Sequence, residues 1–295
     1  MSGDNPYGAL VEEHAGSEGR WAFGTGFSEA LAGVDTTLPA GVDGADLAVY
    51  CQMLGDDALV MAQRLIEWCT GAPELEEEVA LANIALDLLG QAQLLLARAG
   101  QADGSGRDED AFAYFRDAAR FRNVGLAEAA NGDFARSIAR LLLFASWRLA
   151  VLSRLVDSAD PVLAAIAAKA VKELAYHREY AVTWTLRLGD GTAHSRERMA
   201  QGIAAVWPLL GELFVPHEVE VRLVKQGAAV DPAQVRGEVA DVVEQVLAAA
   251  TLTPPGPLPD APAAPGGRDG AHTEELAPLL AEMQQVAREH PGAAW

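Results

Sequence analysis

Between residues 81 and 96 the chain is apolar almost all the way round a helical wheel, and among the few exceptions Asn83, Asp87 and Gln91 fall on one stripe at i, i+4 and i+8. Such a helix has no broad solvent face, which predicts a central place in a helical bundle with the polar stripe satisfied from inside. The composition agrees. Half of the 295 residues are hydrophobic and only 6% are aromatic, while Ala and Leu, both good helix formers, are the commonest residues. The chain is long enough for a substantial core, and the predicted class is all-α.

Residues 1–44 are Gly-rich and weakly patterned, with breakers at Gly24-Thr25-Gly26 and Pro39-Ala40-Gly41, and are expected to form an extension. Helical order is expected from about Asp46, read as a cap. Leu47, Cys51, Leu54, Ala58, Met61, Leu65 and Trp68 then recur at spacings of four and three, the seam of a bundle. Gly71-Ala72-Pro73 ends this helix. Glu74, Glu76, Glu77 and Glu78 crowd the start of the next, where carboxylates favour the positive end of the helix dipole; it is expected to reach about Ala99. A polar loop over 100–108 and a short helix over 109–121 follow. Asn131-Gly132-Asp133 signals the cap of a third long helix, and Ser158-Ala159-Asp160-Pro161 the turn into a fourth, to about Leu188. The pattern predicts two helical hairpins.

Shorter helices are expected over about 195–214, 217–225 and 232–250. A proline-dense stretch over 253–270 cannot be helical, and a last amphipathic helix is expected over 272–289. The predicted organisation is an extension (1–44), a bundle domain (45–250), a linker (251–271), and a C-terminal helix with its tail (272–295). His272-Thr273-Glu274 is read as the cap of that helix. Trp68, Trp147, Trp184 and Trp207 are expected in the core, and Trp295 is expected to anchor the tail to this or another subunit.

Within Glu173-Leu174-Ala175-Tyr176-His177 a carboxylate and an imidazole stand one turn apart, as metal ligands can. A dinuclear iron or manganese bundle needs a Glu-x-x-His pair on each of two helices and a Glu from each of the other two. Here the set is incomplete. In Asp87-Leu88-Leu89-Gly90 a glycine stands where the imidazole belongs, and Gln91 beside it is a neutral amide. The third long helix, 134–156, carries Arg136, Arg140, Arg148 and Arg154 but no acid. Two buried metal ions without enough carboxylates would leave uncompensated charge. The expectation is therefore no catalytic, cofactor-binding or metal-ligating residue in this chain. Glu173 with His177 is read as an ordinary polar pair, Asp87 as a carboxylate paired with an Arg or Lys, and Asn83 and Gln91 as amides that fix register. The competing reading is an autonomous di-metal oxidase using Asp57, or Glu67 near it, with Asp87, Glu173 and His177.

A net charge of −20 with only three lysines, Lys169, Lys172 and Lys225, excludes a broad nucleic-acid or anionic-membrane surface. An acyl-CoA ligand would need a local basic patch, for which Arg116, Arg120 and Arg122 are the candidates. Cys51 and Cys69 are too few for a disulfide framework and lack metal-ligand spacing. The amino terminus has neither a basic region nor an apolar one, and a cytoplasmic protein is expected.

The block Ala80-Leu-Ala-Asn83-Ile-Ala-Leu-Asp87-Leu-Leu-Gly90-Gln-Ala, together with Ala170-Val-Lys-Glu173-Leu-Ala-Tyr-His177 and Gly270-Ala-His-Thr-Glu274, then Leu280-Ala-Glu-Met283, resembles the PaaC subunits of bacterial phenylacetyl-CoA epoxidases. The resemblance runs from about Leu47 to Trp295. It implies a ferritin-like four-helix bundle with additional C-terminal helices, and a structural subunit that has lost its metal ligands. It also implies a homologous catalytic partner, PaaA, holding the di-iron centre, with other oxygenase subunits and a reductase. The reaction implied is addition of one oxygen atom from O2 across the aromatic ring of phenylacetyl-CoA. A scaffold for a different acyl-CoA oxygenase is the other reading compatible with these blocks.

Overall fold

The computed structural model describes residues 31, 33–262 and 266–293. Most of the predicted extension, including Gly24-Thr25-Gly26, and the terminal Trp295 lie outside the described residues. Among the described residues there are helices, 3-10 turns and loops but no strand, so the all-α expectation holds.

Two helical hairpins form the frame. In the first, α1 (Gly44–Ile66) packs along α2 (Leu75–Ala102). The short helices α3 (Glu109–Tyr114) and α4 (Gly125–Glu128) lead to the second, α5 (Phe134–Leu155) against α6 (Pro161–Gly189). The region predicted as one helix over 109–121 is α3 followed by a separate 3-10 turn, Ala118–Arg120. Three of the four long helices start where a side chain satisfies a first free N–H group, α2 being the exception. Asp133 accepts from the Arg136 amide and Asp160 from the Leu163 amide. For α1 the cap is Asp43, which accepts from the amide of Asp46, so the start lies three residues before the expected one. Asp46 itself binds the Arg222 guanidinium.

The hairpins are joined by buried charge. Arg98 of α2 and Asp160 at the head of α6 form an enclosed ion pair, and Arg98 also donates to the carbonyl of Thr36 at 2.7 Å. At the other end of α2, Glu77 accepts from the Tyr180 hydroxyl and, at 2.8 Å, from the Trp184 indole.

The most enclosed helix is α5, not α2. Every residue of α5 from Ser137 to Leu152 is buried, because α6, α7 (Ala193–Val206) and α9 (Arg236–Ala249) all pack on it. On α2, by contrast, Leu75 is 70%, Val79 53% and Leu86 38% exposed. The apolar profile of α2 signals a face that nothing among the described residues covers, rather than a central position. Asn83, on that face, is exposed instead of inside.

The last third packs on both hairpins, α8 (Glu218–Lys225) on α1 and α7 with α9 on α5. Past α7 lies a 3-10 turn (Trp207–Phe214), then α8 capped by His217, and α9. The described residues of the proline-dense stretch are non-helical as expected, apart from a 3-10 turn at Gly267–Asp269, and they are docked. The Trp207 indole donates to the Pro257 carbonyl, and Arg236 to the carbonyls of Leu258 and Pro259. A Cβ at Gly267 would lie 1.9 Å from the Asn123 carbonyl, so only glycine allows this approach. The last helix, α10 (Leu276–Glu289), starts later than expected, and its N-cap Glu275 makes no side-chain capping bond. His272 and Thr273 bind Glu128 instead. Of the tryptophans, Trp147 and Trp207 are buried in the core, while Trp68 and Trp184 are partly covered at its edge.

Breaking the Arg98–Asp160 pair tests this frame. Arg98→Ala leaves a buried carboxylate without its cation, and a loss of about 3–5 kcal/mol is expected in chemical denaturation. A loss below about 1 kcal/mol would contradict the role given to the pair.

Candidate functional site

The place to seek chemistry is where α1, α2, α5 and α6 face one another. There the acid-free helix α5 contributes a guanidinium. Arg148 is fully buried, and donates from Nε to the Gln91 Oε1 of α2 at 3.0 Å and from Nη1 to the Leu54 carbonyl of α1 at 3.0 Å. Gln91 donates in turn to Glu173 Oε2 of α6 at 2.9 Å, and Lys169 stands 3.2 Å from the other Glu173 oxygen. Four helices are thus cross-linked through one cation and one amide. Arg148 has no carboxylate in direct contact, and burial pulls its pKa down to about 10, against the opposing field of Asp57. It stays charged near neutrality. Its Nη2 is buried without a hydrogen-bond partner.

The candidate ligands do not converge. Glu173 is tied to Gln91 and Lys169. His177, one turn on and buried, bonds through Nε2 to Asp87 Oδ2 at 3.0 Å. A carboxylate only accepts, so Nε2 carries the proton; Nδ1 is buried and unpartnered. The partner expected for Asp87 was an Arg or Lys, and it is this imidazole. Asp57 is buried and held by Arg268, whose Nη1 and Nη2 donate at 3.0 and 2.8 Å, and by the Val124 amide. Glu67 lies beyond the end of α1, bonded to Arg64 and Asn131. Among the described residues no group of three or more His, Cys, Asp or Glu could hold a metal ion. A guanidinium where a fourth helix should supply a carboxylate, with an amide beside it, does not fit a di-metal centre.

The arginines proposed as an acyl-CoA patch are not a patch. Arg116 is buried and paired with Asp56, and Arg122 donates to the Arg268 carbonyl, which leaves Arg120 alone exposed. Burial pushes the Asp56 carboxyl up, against the opposing charge of Arg116.

Sequence reasoning missed the central role of Arg148 and the partnership of Asp57 with Arg268. A signal existed for the first. A guanidinium inside an apolar helical run must find acceptors on facing helices, and Gln91 with its neighbouring carbonyls was the available set.

A family model described as phenylacetic acid catabolic protein matches residues 35–295. The chain is also similar to a subunit of the 1,2-phenylacetyl-CoA epoxidase of Escherichia coli (strain K12). The two are 45% identical over 249 residues, an alignment covering 84% of this chain and 99% of that protein.

Gln91→Leu tests the cross-link. It removes the acceptor of a buried guanidinium and the donor to Glu173, and two hydrogen bonds to charged groups predict a loss of about 3 kcal/mol in urea denaturation. A variant as stable as the parent would show that the network carries no stability.

Proposed function

The chain belongs to the phenylacetic acid catabolic protein family, and from that we propose that it is the structural subunit of a multi-subunit phenylacetyl-CoA epoxidase. In this reading it holds no metal and binds and shapes a homologous subunit that carries the di-iron centre, while a reductase supplies electrons. The observation that carries the reading is Arg148, a permanent cation bonded across the bundle centre where metal ligands would have to stand. Its charge opposes the entry of metal cations.

The uncovered face of α2 supports the binding role. Leu75, Val79 and Leu86 follow one stripe, with Asn83 among them, and Tyr176 of the neighbouring α6 is 49% exposed. α2 is the one helix among the described residues long and apolar enough to cross a membrane. The alternative to lipid is a protein. Glu74 and Glu76 stand exposed at its start and Lys172 and Glu179 on α6 beside it, a polar rim around an apolar strip that suits a permanent subunit interface. The occupant we propose is the di-iron subunit, and the cytoplasm the compartment.

Co-expression with the other epoxidase subunits is expected to yield a stable complex in which this chain pairs with the iron-bearing one; recovery only as a lone chain or homodimer would count against the reading. Val79→Glu combined with Leu86→Arg should leave helicity and folding cooperativity intact. It should also weaken the pairing about 30-fold or more, on the order of 2 kcal/mol for the loss of a buried apolar anchor. Unchanged affinity would place the interface on another face.

A further inference from the structure

The segment from Gly266 to Glu275 straps α10 to the bundle through two side chains of different kinds. The first is Arg268, which donates to Asp57, to the Met53 carbonyl at 3.1 Å and to the Arg122 carbonyl at 2.7 Å. Its charge cannot be titrated in the physiological range. The second is His272. Its Nδ1 lies 2.8 Å from Glu128 Oε2, and its Nε2 lies 3.0 Å from the carbonyl oxygen of Phe121.

Both of those partners are acceptors only. A neutral imidazole carries one N–H and one lone pair, so it would set that lone pair against an acceptor on one side. Only the doubly protonated ring donates to both. Glu128 is enclosed, and its remaining capacity is filled by the Asn123 amide at 2.8 Å and the Thr273 backbone N–H at 2.6 Å.

We propose that His272 is a proton latch: as imidazolium it locks the strap onto α4 and the loop before it, and loss of that proton frees the strap and slackens α10.

The charged groups around the latch support this. Glu128 of α4 is in direct contact, and Glu212, on the 3-10 turn after α7, adds a second negative field. Glu212 also accepts from the amides of Gly125 and Gly267, at the two sides of the seam. Arg64 of α1 is the cation facing the assembly, and it donates to the backbone carbonyls of Glu128 and Glu275 rather than to the Glu128 carboxylate. Burial pulls the His272 pKa down, but the bonds to Glu128 and Phe121 with the nearby acids raise it above 6.5 on balance. For Glu128 burial raises the pKa, and the bonds from His272, Thr273 and Asn123 outweigh it, leaving the carboxyl below 4.5. The signs follow by linkage. The His272 contribution is complete below 6.5 and is lost as pH rises through its raised value, whereas the Glu128 contribution is present above 4.5 and is lost as pH falls through its lowered value. The latch is closed between these limits.

The slackened part is more than the strap. Gln284 of α10 donates to the carbonyls of Ala113 and Arg116, and Arg288 to those of Tyr114 and Arg116. These bonds seat α10 on α3, and α10 follows the latch directly in the chain.

Limited proteolysis of the full chain between pH 7 and 9 tests the latch, with rates normalised to an unstructured peptide cut by the same protease. In the parent protein, cleavage within residues 266–275 is expected to rise with pH, by at most about tenfold per unit, and to level off once the imidazolium has lost its proton. His272→Gln cannot titrate, and it should be cut at pH 7 as fast as the parent at high pH, with no further pH dependence. Equal protection of both proteins across the range would overturn the proposal. Should the variant fail to fold, nitrogen NMR of the parent's histidine rings decides: His272 is expected to stay doubly protonated to a higher pH than a free histidine, and a ring already neutral where a free histidine is charged would overturn the proposal.

Discussion

A single buried guanidinium organises the bundle. Arg148 projects from the most enclosed helix and bonds to a backbone carbonyl of α1 and a side-chain amide of α2, which in turn bonds a carboxylate of α6. A charge without a direct counter-ion inside a protein is costly unless its donors are met, so each acceptor is tied to this place. The consequence for function is exclusive. A bundle centre can be cross-linked by metal ions held by carboxylates, or by a fixed cation held by neutral acceptors, and the same volume does not serve both.

Around that centre the acids are consumed by partners. Asp56 is held by Arg116, Asp57 by Arg268, Asp160 by Arg98, and Glu128 by His272 with two further donors. Each pair joins elements distant in the sequence, 211 residues apart for Asp57 and Arg268. Removing either partner of such a pair leaves a buried charge, so these contacts specify how the hairpins, the strap and α10 sit together. The C-terminal stretch, read from its prolines as a linker, is better described as a girdle.

What was legible in the sequence was local or repetitive. The two hairpins followed from heptad-like spacing, and Asp133 and Asp160 announced their helix starts because a capping carboxylate acts within three residues. The lack of acids in α5 was visible too, since it is a property of composition. The filler was not, because Arg148 meets its acceptors only through the fold. The ranking of α2 above α5 as the central helix failed for a different reason. An apolar wheel states that a helix must be covered but not by what, and the exposed Val79 and Leu86 show that no described residue of the chain covers this face of α2. His272 was misread because a polar residue just before a helix usually caps it, while here Glu128, 144 residues away, takes the bond.

The central claim is that the guanidinium stands in place of a metal centre, and metal content tests it most directly. The full chain, expressed in iron-replete medium and then offered ferrous iron without oxygen, would be analysed by elemental analysis and Mössbauer spectroscopy. The account predicts iron well below one atom per chain and no coupled di-iron signal. Two tightly held, spin-coupled irons per chain would contradict it.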